Sequence, residues 1–127
     1  MKTVEKHLYT PRGLRTLSPE DPGFRGFYGG SQAERDRSYH QGTVWVYPLG
    51  AYYRAVLKTR GMTEAAVKSV KARLQTREGM LTEGCVGQLP EIYDGCNPGE
   101  GKGCFAQAWS VGEMLRVYET IARIEGL

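Results

Sequence analysis

A chain of 127 residues, 40% hydrophobic and 24% charged, has room for one domain and a single core. Its net charge of +3 reflects 17 Lys plus Arg against 14 Asp plus Glu. The basic residues are scattered (Lys58/Arg60, Lys68/Lys71/Arg73, Arg116/Arg123) rather than gathered into the stripe that nucleic-acid binding uses, and no run approaches the roughly 20 apolar residues of a membrane span. Neither nucleic acid nor membrane is therefore expected as a partner.

The chain opens Met1-Lys2-Thr3-Val4-Glu5-Lys6-His7, without the apolar centre of a signal peptide. Cys85, Cys96 and Cys104 are odd in number and widely spaced, which fits neither a disulfide framework nor a zinc pattern. With His7 and His40 the only histidines, no metal site or cofactor is expected, and the compartment expected is the cytoplasm.

Residues 1–42 show little periodicity. Pro11, Gly13, Pro19, Pro22, Gly23, Gly26, Gly29 and Gly30 interrupt every apolar pattern, so this stretch reads as a loop-rich arm. Residues 43–127 read as the helical portion of the same domain. A first helix is predicted over about Val44–Arg60, with Trp45, Leu49, Tyr52, Tyr53 and Val56 on one face. Thr43 is its expected cap, Gly61 its left-handed stop, and Pro48 sits near its first turn. A second helix starts at Thr63 as N-cap, carries the stripe Val67, Val70, Leu74 and Leu81, and ends at Gly84. A third spans about Ala106–Ile124, where Val111, Met114, Leu115, Tyr118, Ile121 and Ala122 give a 3.6-residue period. Between the last two lies a long loop, Cys85–Phe105.

Gly99-Glu100-Gly101-Lys102-Gly103 fails as a phosphate loop, because Cys96 stands at the first glycine position and Gly103 replaces the Ser or Thr that holds magnesium. A thiol nucleophile would need a partner such as His40 near one of the cysteines, and nothing in the sequence brings them together. The carboxylates Glu91 and Asp94, in Gln88-Leu89-Pro90-Glu91-Ile92-Tyr93-Asp94-Gly95, lie in a loop rather than on a solvated helix face. Glycoside hydrolysis needs two carboxyl groups across the scissile bond, with aromatic walls such as Tyr93 and Trp109 against the sugar. Glu91 serves equally well, on these residues alone, as an ion-pair partner for an arginine.

Several blocks, in order, resemble the prokaryotic glycogen debranching enzymes of the amylo-α-1,6-glucosidase group. They are Tyr9-Thr10-Pro11-Arg12-Gly13-Leu14-Arg15-Thr16-Leu17-Ser18-Pro19-Glu20-Asp21-Pro22; Tyr28-Gly29-Gly30; Arg35-Asp36-Arg37-Ser38-Tyr39-His40-Gln41-Gly42-Thr43-Val44-Trp45; Gly84 through Gly95; and Gly103-Cys104-Phe105-Ala106-Gln107-Ala108-Trp109-Ser110. The resemblance implies an all-α, glucoamylase-like fold, here the C-terminal portion of an (α/α)6 toroid built of about three long helices. It implies an inverting hydrolysis of α-1,6-glucosidic branch linkages, with Glu91 as general base. It further implies a glucose pocket lined by Tyr39, His40, Gln41, Trp45, Gln107 and Trp109, and a branched α-glucan such as glycogen or limit dextrin as partner. The general-acid aspartate falls outside the matching segment. Val46-Tyr47-Pro48 departs from the Trp-Pro-Trp-like continuation of that family. The alternative is a non-catalytic glucan-binding or interaction protein derived from such an enzyme. Three helices with Tyr52, Tyr53, Val56, Val67, Val70, Met114 and Tyr118 predict more apolar surface than they can cover among themselves, hence a homodimer or a partner chain supplying the remaining catalytic helices.

Overall fold

A computed structural model describes residues 1–76, 78–83 and 85–127. In chain order the elements are α1 (Lys2–His7), β1 (Leu14–Arg15), α2 (Gln32–Ser38), β2 (Val44–Trp45), α3 (Pro48–Thr59), α4 (Glu64–Gln75), a 3₁₀ turn (Glu78–Thr82), β3 (Ile92–Tyr93), β4 (Gly101–Lys102) and α5 (Ala108–Glu125). The fold is mixed α/β, which corrects the all-α toroid expected from the sequence. A four-stranded antiparallel sheet in the order β1-β2-β3-β4 joins the arm, the segment before α3 and the loop before α5.

The physical reason lies at Pro48. Proline lacks an N–H, so it is tolerated at the first helical position, and α3 begins there. The backbone upstream then pairs with its neighbours: Leu14 faces Trp45 and Arg15 faces Val44 on one side, while Val44 faces Tyr93 and Trp45 faces Ile92 on the other. Val44, Trp45 and Val46 are all buried, as a strand covered on both faces requires. Thr43, expected to cap the helix, instead gives its hydroxyl to the carbonyls of Ser38 and Tyr39.

The helices follow the sequence more closely. Thr63 caps α4 by accepting from the Ala66 N–H at 3.3 Å, and Gly61, with φ +69°, carries the chain past the end of α3. Leu49, Tyr53, Val56 and Leu57 of α3 pack against Val67, Val70 and Leu74 of α4 and against Met114, Val117 and Ile121 of α5. Leu81 leaves the predicted stripe, because α4 stops at Gln75 and the 3₁₀ turn places Leu81 39% exposed. The expected terminator Gly84 lies outside the described residues.

The arm is not purely irregular. Ser31 and Glu34 form a reciprocal capping box that starts α2, and α1 lies at the N-terminus. Val4, Tyr9 and Leu14 fold back onto the helical core. Consequently Tyr52, Tyr53, Val56, Val67, Val70 and Met114 are buried within the chain, and of the seven residues expected to need an outside cover only Tyr118, 45% exposed, remains open. Among the described residues no helix is long and apolar enough to cross a membrane, and no cluster of metal-ligating side chains occurs.

Candidate active site

The central pairing of β2 with β3 sets the segment 39–45 beside the segment 89–94. Two anchors then fix the second segment to the start of α5. The Gln107 N–H donates to the Leu89 carbonyl at 2.8 Å, and the buried Ser110 hydroxyl donates to the Pro90 carbonyl at 3.0 Å. Glu91 follows directly, half-buried at the head of β3, and its own N–H donates to the Cys104 carbonyl at 2.8 Å.

The Glu91 carboxylate accepts from both flanks. The Tyr39 hydroxyl donates to Oε1, and the Cys104 N–H donates to Oε2 at 2.9 Å. Gly103 lies between them with φ +70°, and a Cβ there would collide with Glu91 Oε2, so both conformation and space call for glycine. Burial, followed by the hydrogen bond to Glu91, raises the Tyr39 hydroxyl well above the ordinary tyrosine range, so it stays a protonated donor.

Aromatic rings run outward from this pair. Tyr39 lies 4.8 Å edge-on to Trp45 and 4.7 Å from His40, and Trp45 stacks on His40 at 5.2 Å and 15°. Trp45 meets Trp109 at 6.0 Å and Tyr47 at 5.9 Å, while Tyr47 and Trp109 face each other at 5.0 Å and 32°. Trp45 is only 3% exposed, and its indole N–H donates to the Tyr39 carbonyl at 3.0 Å. Its position is that of a backing wall. The open faces belong to Trp109, 49% exposed, and Tyr47, 39% exposed.

Of the residues singled out in sequence, Tyr39, His40, Trp45, Trp109 and Glu91 therefore meet in one linked group. Gln107 is at its edge as the half-buried N-cap of α5 and makes no side-chain cap bond. Gln41 stands apart: its carbonyl accepts from the Arg25 N–H at 2.6 Å, tying down the arm, while its side chain is exposed. Asp94 is spent on structure. It pairs with Lys102 at 2.7 Å and accepts from the Tyr28 N–H at 2.7 Å.

Tyr47 and Tyr28, the latter 5.7 Å from Tyr39, were not among the expected pocket residues, although Tyr28 opens one of the blocks that carry the resemblance and Tyr47 lies in the Val46-Tyr47-Pro48 departure from it. A strand reading of 44–47 would have found Tyr47, since residues two apart share a side in extended chain, whereas a helix turns them away from each other.

The profile of the amylo-alpha-1,6-glucosidase family matches residues 1–116. A glycogen debranching enzyme from Saccharomyces cerevisiae is 39% identical over 58 residues, which is 41% of this chain and 4% of the yeast protein. The chain thus matches only a small part of that much longer relative.

Proposed function

Since the chain belongs to the amylo-α-1,6-glucosidase family, we propose that it is the C-terminal catalytic segment of a glycogen debranching enzyme, acting on α-1,6-glucosidic branch linkages. The observation that carries this reading is Glu91, a half-buried carboxylate held from two sides at the foot of an open aromatic platform. In the proposed inverting reaction Glu91 takes a proton from water as the water oxygen bonds to the anomeric carbon. The bond from that carbon to the branch oxygen breaks, and a carboxylic acid on the far side gives its proton to the departing oxygen.

Inverting geometry asks for the two carboxyl groups about 6.5–9.5 Å apart across the sugar. Asp94 is committed to Lys102 and the Tyr28 N–H, so the acid is assigned to another part of the catalytic unit. Trp109 and Tyr47 offer the apolar faces for glucosyl rings, with buried Trp45 behind them, exposed His40 stacked on Trp45, and the Gln107 amide at the rim. The free thiols of Cys85, Cys96 and Cys104 suit a reducing compartment, and we place the enzyme in the cytoplasm.

The test is glucose release from a branched limit dextrin, by this chain alone and joined to the acid-bearing segment. Release is expected only from the joined form, and Glu91→Gln in it should lower kcat by at least about 1,000-fold, as loss of an essential proton acceptor does. Undiminished turnover by Glu91→Gln would remove Glu91 from the reaction. Dextrin binding without hydrolysis by the joined form would favour the glucan-binding alternative.

A further inference from the structure

The family resemblance makes Tyr39 a wall of the sugar pocket, but its hydroxyl is already engaged. It donates to Glu91 Oε1, and the ring that carries it is packed at 5.7 Å by Tyr28, 4.7 Å by His40 and 4.8 Å by Trp45. Its carbonyl accepts from the Trp45 indole N–H at 3.0 Å and from the Thr43 hydroxyl. Both ends of the residue are committed within the protein. The single proton of its hydroxyl is spent on Glu91, so toward a sugar hydroxyl it has only acceptor capacity left.

We propose that Tyr39 is the positioning residue of Glu91, orienting the carboxylate toward the water it activates, a role that rests on Glu91 being the general base. An ionised carboxylate has about four acceptor sites on its two oxygens. Tyr39 occupies one on Oε1 and the Cys104 N–H occupies one on Oε2, so the group cannot rotate without breaking both bonds. The unoccupied sites are left to receive the proton of water, which general-base transfer requires within about 2.6–3.2 Å. The chemistry of the two donors suits this task. A backbone N–H does not titrate, and the Tyr39 hydroxyl, raised by burial and by Glu91, stays protonated throughout the neutral range. Neither donor competes for the proton Glu91 must accept.

The pairing is tested on the isolated chain by proton NMR at neutral pH. The Tyr39 hydroxyl proton should appear as a downfield, slowly exchanging resonance, assigned by its disappearance in Tyr39→Phe, and should move upfield in Glu91→Gln, where the acceptor loses its charge. The absence of such a resonance, or one that Glu91→Gln leaves in place, would overturn the pairing. The positioning role is tested in the joined, dextrin-hydrolysing form. Tyr39→Phe, which keeps the ring and its packing, should lower kcat about 10- to 100-fold with KM for limit dextrin within about twofold. A raised KM at unchanged kcat would make Tyr39 a sugar contact and refute the proposal. Glu91→Gln in the same assay decides the separate question of the base: if it stays active the base assignment fails, whatever the Tyr39 resonance shows.

Discussion

Ser110 offers a direct test of how the fold holds the loop that carries Glu91. Its side chain is fully buried, and its hydroxyl donates to the Pro90 carbonyl at 3.0 Å, one residue before Glu91. Ser110→Ala removes one oxygen and little volume, so packing changes hardly at all and the lost hydrogen bond dominates. Leaving a buried carbonyl without its donor costs about 1–3 kcal/mol. For a domain of this size each kcal/mol moves the melting temperature by roughly 3–5 °C. The expected drop is therefore about 3–15 °C, read by circular dichroism at 222 nm. The Gln107 N–H to Leu89 carbonyl bond persists in the variant, so the loop should loosen at Pro90–Glu91 rather than detach. A melting temperature within about 1 °C of the unmodified chain would show that the hydroxyl does not secure the loop, and the account of how Glu91 is placed would fall.

Three further outcomes are expected. Trp109→Ala should weaken binding of branched glucan about 3- to 10-fold, the worth of one aromatic platform, and Tyr47→Ala should do likewise; glycogen-affinity electrophoresis reads this, and unchanged mobility in both would exclude the platform. Burial pushes the hydroxyls of Tyr52 and Tyr93 up to about 12, against an ordinary value of about 10. Their contribution to stability is complete below pH 10 and lost as pH rises from about 10 to 12, so urea midpoints should fall across that window and not between pH 7 and 9. The Tyr93 hydroxyl is buried without a hydrogen-bond partner. Tyr93→Phe should therefore be neutral or stabilising at pH 7 and should shrink the alkaline loss, whereas destabilisation by more than about 1 kcal/mol would contradict the orphaned hydroxyl.

What could be read in the sequence follows the length of each pattern. The third helix was legible because Val111, Met114, Leu115, Tyr118, Ile121 and Ala122 keep a 3.6-residue period, although Leu115 and Tyr118 of that pattern lie exposed and Val117, outside it, is buried. Helix α4 was legible because Thr63 carries its cap beside a regular stripe. The sheet left no comparable trace. Each of its strands is two residues long, too short for alternation to register, and the partners of β2 on both sides come from far along the chain. Val44 and Trp45 merged into the helical period that follows them, and only the missing N–H of Pro48 marks the true boundary. Helix α1 buries no residue and α2 only Ser38, so neither has an apolar stripe to detect, although Ser31 and Glu34 spell a capping box. At the site, Glu91, Tyr39 and Trp109 were found as residue types in suggestive surroundings. The hydrogen bond from Tyr39 to Glu91 joins positions 52 apart and exists only because β2 lies against β3.

The short strands also bear on how the chain behaves when crowded. A sheet edge is a row of unpaired donors and acceptors on which another chain can build, and long flat edges seed fibrils. Here β1 is flanked on the arm side by the Tyr9–Leu14 bridge, and β4 offers only Gly101 and Lys102. A two-residue edge with a lysine on it is a poor template for strand addition, and this lysine is anchored to Asp94 and to the Tyr28 carbonyl. A site assembled from many distant segments could thus use strand pairing for alignment without the usual hazard of an adhesive border.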